Sequence, residues 1–218
     1  TFRIERPIGR AGIEAMRLHT AGGYAFPSGH SQGAASFWTG IMSSFRRRWL
    51  YAAGTAMIIL VAFSRMYLGV HWPTDVLGGI VIGVLWVLLI NLLYDISRRL
   101  GNPFLLLIVV IPLAAGYLLY PDKAYIVSMG SLLGFWLGFV IETRYIGYAG
   151  QARIAVQIGK LLTGLLVLVL LKEGLKPLLP FDPRAADLLR YFCIGLWMTA
   201  GAPWLFSRLF PQPFPDKE

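Results

Sequence analysis

Apolar residues run in long blocks along this chain, and polar residues gather between them. Seven blocks stand out, at about 31–45, 49–67, 76–95, 103–121, 125–142, 154–172 and 187–207. A helix needs ~20 mostly apolar residues to cross a bilayer; the first block is short and weak by itself, and the others are clear. The pattern predicts an all-α polytopic transmembrane helical bundle of about seven spans. Residues 1–26 are polar to mixed, carry Arg3, Arg6, Arg10 and Arg17, and do not span. Thr1 and its neighbours read as mid-protein sequence, so further N-terminal spans are expected ahead of them.

The connectors sort by charge. Arg46, Arg47 and Arg48 follow the first block, Arg98 and Arg99 the third, Arg144 and Arg153 flank the connector after the fifth, and Arg208 follows the seventh. If the spans alternate, these arginines share one side. The other side holds Lys123, Lys172, Lys176 and Arg184 beside several acids. Cytoplasmic loops carry excess Lys and Arg, so the arginine-rich side is predicted to be cytoplasmic. The stretch around 27–30 and the loop 68–75 then share the outer face.

Composition agrees with a membrane chain: 56% of residues are apolar and only 14% charged, unlike an ordinary soluble domain. The net charge of +9 would suggest nucleic acid in a soluble protein. Here the connector bias accounts for it, and no nucleic-acid partner is expected. Cys193 is the one cysteine, which excludes an internal disulfide and a cysteine-based metal site. Gly79 and Gly83, and Gly130, Gly134 and Gly138, have the small-xxx-small spacing of closely packed helices.

Two polar clusters carry the candidate chemistry. The first is Pro27-Ser28-Gly29-His30, at the mouth of the first apolar block. Ser28 suits an N-cap, and Gly29 admits close approach to the backbone. The first N–H groups of a helix suit a phosphate. His30 in that first turn can give or take a proton near neutral pH. The bland alternative is a capped helix with an interfacial histidine, and the tetrapeptide alone favours it.

The second cluster is SRMYLGVHWPTD, Ser64 to Asp75. Arg65 near a span end is costly unless it meets an anion, snorkelling aside. Asp75, four residues after His71, is placed to accept a bond from one ring nitrogen, which leaves the other free as nucleophile or base. A local helix cap is the alternative. Arg6-Pro7, with Arg3 and Arg10, is a third and weaker element. On one face, two histidines, two arginines, a carboxylate and a helix tip suit phosphoryl transfer, one histidine attacking and the other protonating the leaving oxygen.

These blocks resemble the type 2 phosphatidic acid phosphatase (PAP2) superfamily. Its pattern is Lys-x6-Arg-Pro, then Pro-Ser-Gly-His, then Ser-Arg-x5-His-x3-Asp. The second block is complete at Pro27–His30, and the third at Ser64, Arg65, His71 and Asp75. The first shows only Arg6-Pro7, since its lysine falls just before Thr1. The resemblance covers residues 6 to about 95.

The resemblance implies roles. His71 becomes the nucleophile that forms a phosphohistidine, Asp75 its orienting partner, and His30 the acid for the leaving group. Arg6, Ser28, the Gly29 amide and Arg65 become the phosphate cradle. No metal or cofactor is implied. Members are integral-membrane phosphatases or soluble haloperoxidases, and the spans exclude the soluble branch. Residues 1–100 would form the catalytic core and 101–218 additional transmembrane helices. That larger span count is similar to the glucose-6-phosphatase and sphingosine-phosphate phosphatase branches. The extra helices would shape substrate entry or build a homodimer interface.

The expected substrate is a lipid phosphate or polyprenyl diphosphate, met at the non-cytoplasmic face of a cell membrane while its tail lies in the bilayer. The alternatives are a lipid phosphotransferase with the same histidine and a non-enzymatic anion-binding transporter. Asn91 and Lys160 are polar inside apolar blocks, and Lys160 is read as functional or snorkelling. Glu142 with Arg144, and Lys172 with Glu173, sit at span ends. His19 reads as surface, the PQPFPDKE end as a loose tail, and the tryptophans, Trp38, Trp49, Trp72, Trp86 and Trp204 among them, as an interfacial belt.

Overall fold

The computed structural model describes residues 3–10, 12, 14–16, 22–119, 122–179 and 182–210. Arg17, His19 and the 211–218 tail lie outside the described residues. Among those described there are helices, turns and loops, and no strand. The chain divides into two compact units, Thr1–Asp95 and Ile96–Glu218.

The first unit holds α1 (Gly29–Phe45), α2 (Arg48–Tyr67) and most of α3 (Pro73–Arg99). Ser28 takes the N-cap position of α1, but its hydroxyl bonds no backbone amide there. It accepts instead from Ser31 Oγ at 3.1 Å. α1 ends at Arg46, in the left-handed region at φ 50°. Pro73 opens α3, where its missing N–H costs nothing.

α3 approaches α1 over glycine. A Cβ on Gly79 would stand 2.6 Å from Ser28 O, and one on Gly83 2.6 Å from Gln32 O. The small-residue spacing thus does the close packing expected of it. Asn91 adds an interhelical bond, its Nδ2 donating to Ser43 Oγ at 3.0 Å.

The second unit holds α4 (Leu107–Ala115), α5 (Lys123–Ile141), α6 (Ile154–Val169), α7 (Leu175–Leu178), α8 (Pro183–Leu196) and α9 (Ala202–Leu209). Asp122 and Asp182 cap α5 and α8 with their side chains. π-helical turns at Glu142–Ile146, Leu170–Gly174 and Trp197–Gly201 extend α5, join α6 to α7, and join α8 to α9. Here too glycine sets the contact: a Cβ on Gly130 would stand 2.5 Å from Leu188 O, and one on Gly195 2.5 Å from Ser131 O, so α5 and α8 nearly touch backbones.

Four helical runs are long and apolar enough to cross a membrane: Arg48–Tyr67, Pro73–Arg99, Lys123–Ile146 and Ile154–Leu178. The other three of the seven expected blocks fall short of that standard. α1 has 17 residues. The block at 103–121 is broken into a 3₁₀ turn at Pro103–Leu106, α4 with Pro112 inside it, and a second 3₁₀ turn. The last block carries Asp187 and Arg190 within α8 and is followed at once by Arg208. Large apolar side chains such as Ile59, Leu85, Leu162 and Leu166 face outward, as they do when the surroundings are lipid. The chain is a helical membrane protein.

Candidate active site

The site is assembled where the N-terminal segment crosses the loop between α2 and α3. Glycine permits that loop: Gly69 sits at φ 64°, a region other residues avoid, and turns the chain from α2 toward His71. Val70 and His71 are then buried, at 2% and 7% exposure.

Asp75 is wholly buried in the first turn of α3. Its Oδ2 accepts from Trp72 N at 2.7 Å, the returning half of a capping box. The same oxygen lies 3.5 Å from His71 Nδ1, an electrostatic contact at the limit of hydrogen bonding. Of the two sequence readings of this pair, the cap is made, whereas His71 Nδ1 makes no hydrogen bond and meets Asp75 only as an electrostatic contact. Asp75 also anchors the other cluster, because its backbone carbonyl accepts from Ser28 N at 2.9 Å. The tip of α1 and the start of α3 are thereby tied together.

Arg6 is the residue that closes the site. Its Nη1 donates to Val70 O at 2.9 Å and lies 3.1 Å from His71 Nε2. Its Nη2 donates to Gly22 O at 2.8 Å, and its Nε to Gly23 O at 3.1 Å. Neighbouring bonds hold the segment in place. Ala25 N donates to Ile4 O at 2.8 Å, and Trp72 Nε1 donates to Glu5 O at 3.0 Å. Arg10 stacks over the Trp72 ring at 5.5 Å. Trp72 thus braces the site, a role distinct from the interfacial belt expected of it. Spacing gave no sign of this, since the indole and its carbonyl partner are 67 residues apart.

A guanidinium only donates hydrogen bonds. The 3.1 Å contact therefore assigns a lone pair to His71 Nε2 and the ring proton to Nδ1, facing Asp75. His71 is held below its ordinary pKa by burial first and then by the Arg6 charge, with Asp75 and the Ala25 backbone opposing. The neutral ring is the favoured form. Burial also lowers the Arg6 pKa, with Asp75 opposing.

His30 stands in the first turn of α1 and is exposed. Partial burial, then the charges of Arg65 and Arg6, lower its pKa. Arg65 is half-buried in the last turn of α2, with Nε donating to Ser64 Oγ at 3.2 Å. Gly29 is the first residue of α1, and nothing lies within 4 Å of where its Cβ would be, so a ligand has room there. Arg6, His71, Asp75 and Ser28 are joined by direct bonds or contacts. His30 and Arg65 join them through electrostatics, without a hydrogen bond to the rings among the described residues. A surface cavity of about 590 Å³ opens beside Arg6, lined by Glu5, Ile8, Gly23 and Tyr24.

Comparison with known proteins places these residues in context. The family model described as PAP2 superfamily matches residues 7–99, and the one described as PAP2 superfamily phosphatase, transmembrane extension, matches residues 126–213. Phosphatidylglycerophosphatase B of Bacillus subtilis (strain 168) is 38% identical over 105 residues, 42% of this chain and 52% of the relative. An undecaprenyl-diphosphatase of Sulfolobus acidocaldarius is 39% identical over 64 residues, 28% of this chain and 29% of the relative. A lipid A 4'-phosphatase of Bacteroides thetaiotaomicron is 38% identical over 66 residues, 28% of each chain. The chain spans about half the length, or less, of these relatives. No solved structure matches it at a significant level.

Proposed function

This chain belongs to the PAP2 superfamily, and on that premise we propose that it is a membrane phosphatase cleaving a lipid phosphate or polyprenyl diphosphate through a phosphohistidine on His71. The single observation that carries the reading is the 3.1 Å contact of Arg6 Nη1 with His71 Nε2, which leaves Nε2 the accepting nitrogen of the ring. A phosphate oxygen that takes over the Arg6 bond would bring phosphorus to that lone pair. The nucleophile is then presented by the residue that binds its target.

The steps follow from the chemistry of the groups. Arg6, Arg65 and the amides at the tip of α1 hold the phosphate oxygens and stabilise charge as the transition state spreads it over them. Nε2 of His71 attacks phosphorus and the bond to the leaving oxygen breaks. His30 gives that oxygen its proton. Asp75 stabilises the positive charge on the His71 ring. Water then attacks the phosphohistidine, giving its proton to His30; the P–N bond breaks, inorganic phosphate leaves, and both rings return to their starting states. The lowered pKa of His30 has a physical use here. The bound phosphate's negative charge offsets Arg65 and Arg6, so His30 gains its proton when substrate is present.

The relatives' names point to lipid-linked phosphate esters and diphosphates as substrates. The connector charges support an outer, non-cytoplasmic active site on a multi-pass chain. Two experiments test the proposal. Purified protein is assayed for phosphate release from phosphatidate, phosphatidylglycerol phosphate, a polyprenyl diphosphate and a sugar phosphate, with EDTA or vanadate added. We expect release from the lipids, survival in EDTA and inhibition by vanadate, a mimic of pentacoordinate phosphorus; strict Mg²⁺ dependence would overturn the mechanism. For orientation, an impermeant thiol reagent is applied to intact cells carrying Tyr24→Cys, at an exposed position beside Arg6, or Arg47→Cys in a Cys193→Ala background. Labelling at 24 and not at 47 is expected, and the reverse pattern would overturn the topology.

A further inference from the structure

The second unit buries one charge that the chemistry above does not use. Lys160 lies in α6 at 5% exposure, so it has not snorkelled to water. No hydrogen bond reaches its Nζ, and no acid lies within ion-pair distance of it among the described residues. Its ammonium lies over the Tyr148 ring, 5.2 Å from the centroid. The Tyr148 hydroxyl is also buried and without a hydrogen-bond partner. Glu142, the acid close by in sequence, uses Oε1 to accept from Tyr148 N at 2.9 Å.

Lys160 and Tyr148 both line one groove of about 440 Å³, with the two unmet atoms buried in its wall. The rest of its lining is mostly apolar: Leu161, Leu165 and Leu168 of α6, Trp197, Met198 and Phe206. An ammonium held away from water without a partner is costly, and more so within a membrane. A cation–π contact recovers only part of that cost. The missing element is an anion.

We infer that this groove is a binding site for an anionic phospholipid, with Lys160 Nζ and the Tyr148 hydroxyl holding the phosphodiester and an acyl chain lying along Leu161, Leu165 and Leu168. Three features select that occupant. One ammonium with one hydroxyl matches a single negative charge, whereas the site around His71 gathers two arginines. The groove's apolar length has no use for a free inorganic anion. α6 is the least covered of the membrane-length helices, with 6% of its apolar window buried, so lipid reaches it directly. The groove's polar end includes Tyr148 and Gly150, in the connector flanked by Arg144 and Arg153.

The test uses the whole chain in phosphatidylcholine vesicles. Each contains a small fraction of phosphatidylglycerol or phosphatidylcholine carrying a diazirine in the acyl chain, and labelled peptides are mapped after photolysis. The phosphatidylglycerol probe should label peptides spanning 161–168 and 197–206 roughly tenfold more than the phosphatidylcholine probe, the scale of a buried charge-assisted bond. Lys160→Met should abolish that preference while labelling elsewhere stays unchanged. If Lys160→Met does not fold, Lys160→Arg should keep the preference and Tyr148→Phe should weaken it severalfold. Equal labelling by both probes in the wild type, or a preference that survives Lys160→Met, would overturn the inference.

Discussion

In the unit spanning Thr1–Asp95, the fully buried side chains include Asp75, Ser28 and Ser31, and His71 is nearly so. In the unit spanning Ile96–Glu218, the contact between α5 and α8 runs over Gly130 and Gly195, and the buried side chains are mainly Ile126, Met129, Val140 and Ile194. Both units use glycine to bring helices together. In the first the close approach also ties the polar cluster together: Gly79 lets α3 reach Ser28, and Ser28 N then bonds Asp75 O. Close packing is thus a common means with two outcomes, a buried polar cluster in one unit and a mainly apolar helix contact in the other. Lys160, the buried charge among the described residues of the second unit, stands out for that reason.

The sharpest way to break this contrast is His71→Ala. It should lower turnover by roughly 10³-fold or more with the helical content kept, because the other groups position the phosphate without supplying a nucleophile. Phosphate release and circular dichroism on the same sample check it; near-normal turnover would remove the chemistry from the first unit. A smaller effect is expected on the scaffold side. Gly130→Ala puts a Cβ 2.5 Å from a backbone oxygen that cannot swing away, so α5 and α8 must separate. Thermal unfolding in detergent should show a loss of about 1–3 kcal/mol; an unchanged midpoint would mean the glycine contact contributes no stability.

The smallest effect sharpens the role of Arg6. His71 must be neutral to attack, and its pKa is lowered by burial and by Arg6. Activity should therefore persist as pH falls below the ordinary imidazole value of about 6.5, and fail only as the ring takes a proton. Arg6→Gln removes one lowering cause, so the acid limb of the residual kcat/KM profile should move up in pH. A limb that stays fixed, or moves down, would show that Arg6 does not set the charge state of His71.

Much of the helical layout was legible because a bilayer leaves little choice. Long apolar runs fold as helices there to satisfy their own backbone, and the blocks at 49–67, 76–95, 125–142 and 154–172 coincide with the four membrane-length helices. The blocks at 103–121 and 187–207 read less well, since hydropathy does not register how Pro112 divides a helix or how π turns prolong one. In the site, Pro27–His30 and Ser64–Asp75 were visible because each is a short continuous run of polar residue types at fixed spacing.

The sequence by itself determined the polar inventory and the helical character of this protein, since both follow from residue type and short-range spacing. Tertiary structure alone decided which atoms meet. Arg6 reaches His71 across 65 positions, Trp72 reaches Glu5 across 67, and Lys160 Nζ finds no hydrogen-bond partner among the described residues. Such meetings depend on how closely helices approach and where a loop turns, and no short stretch of chain encodes either.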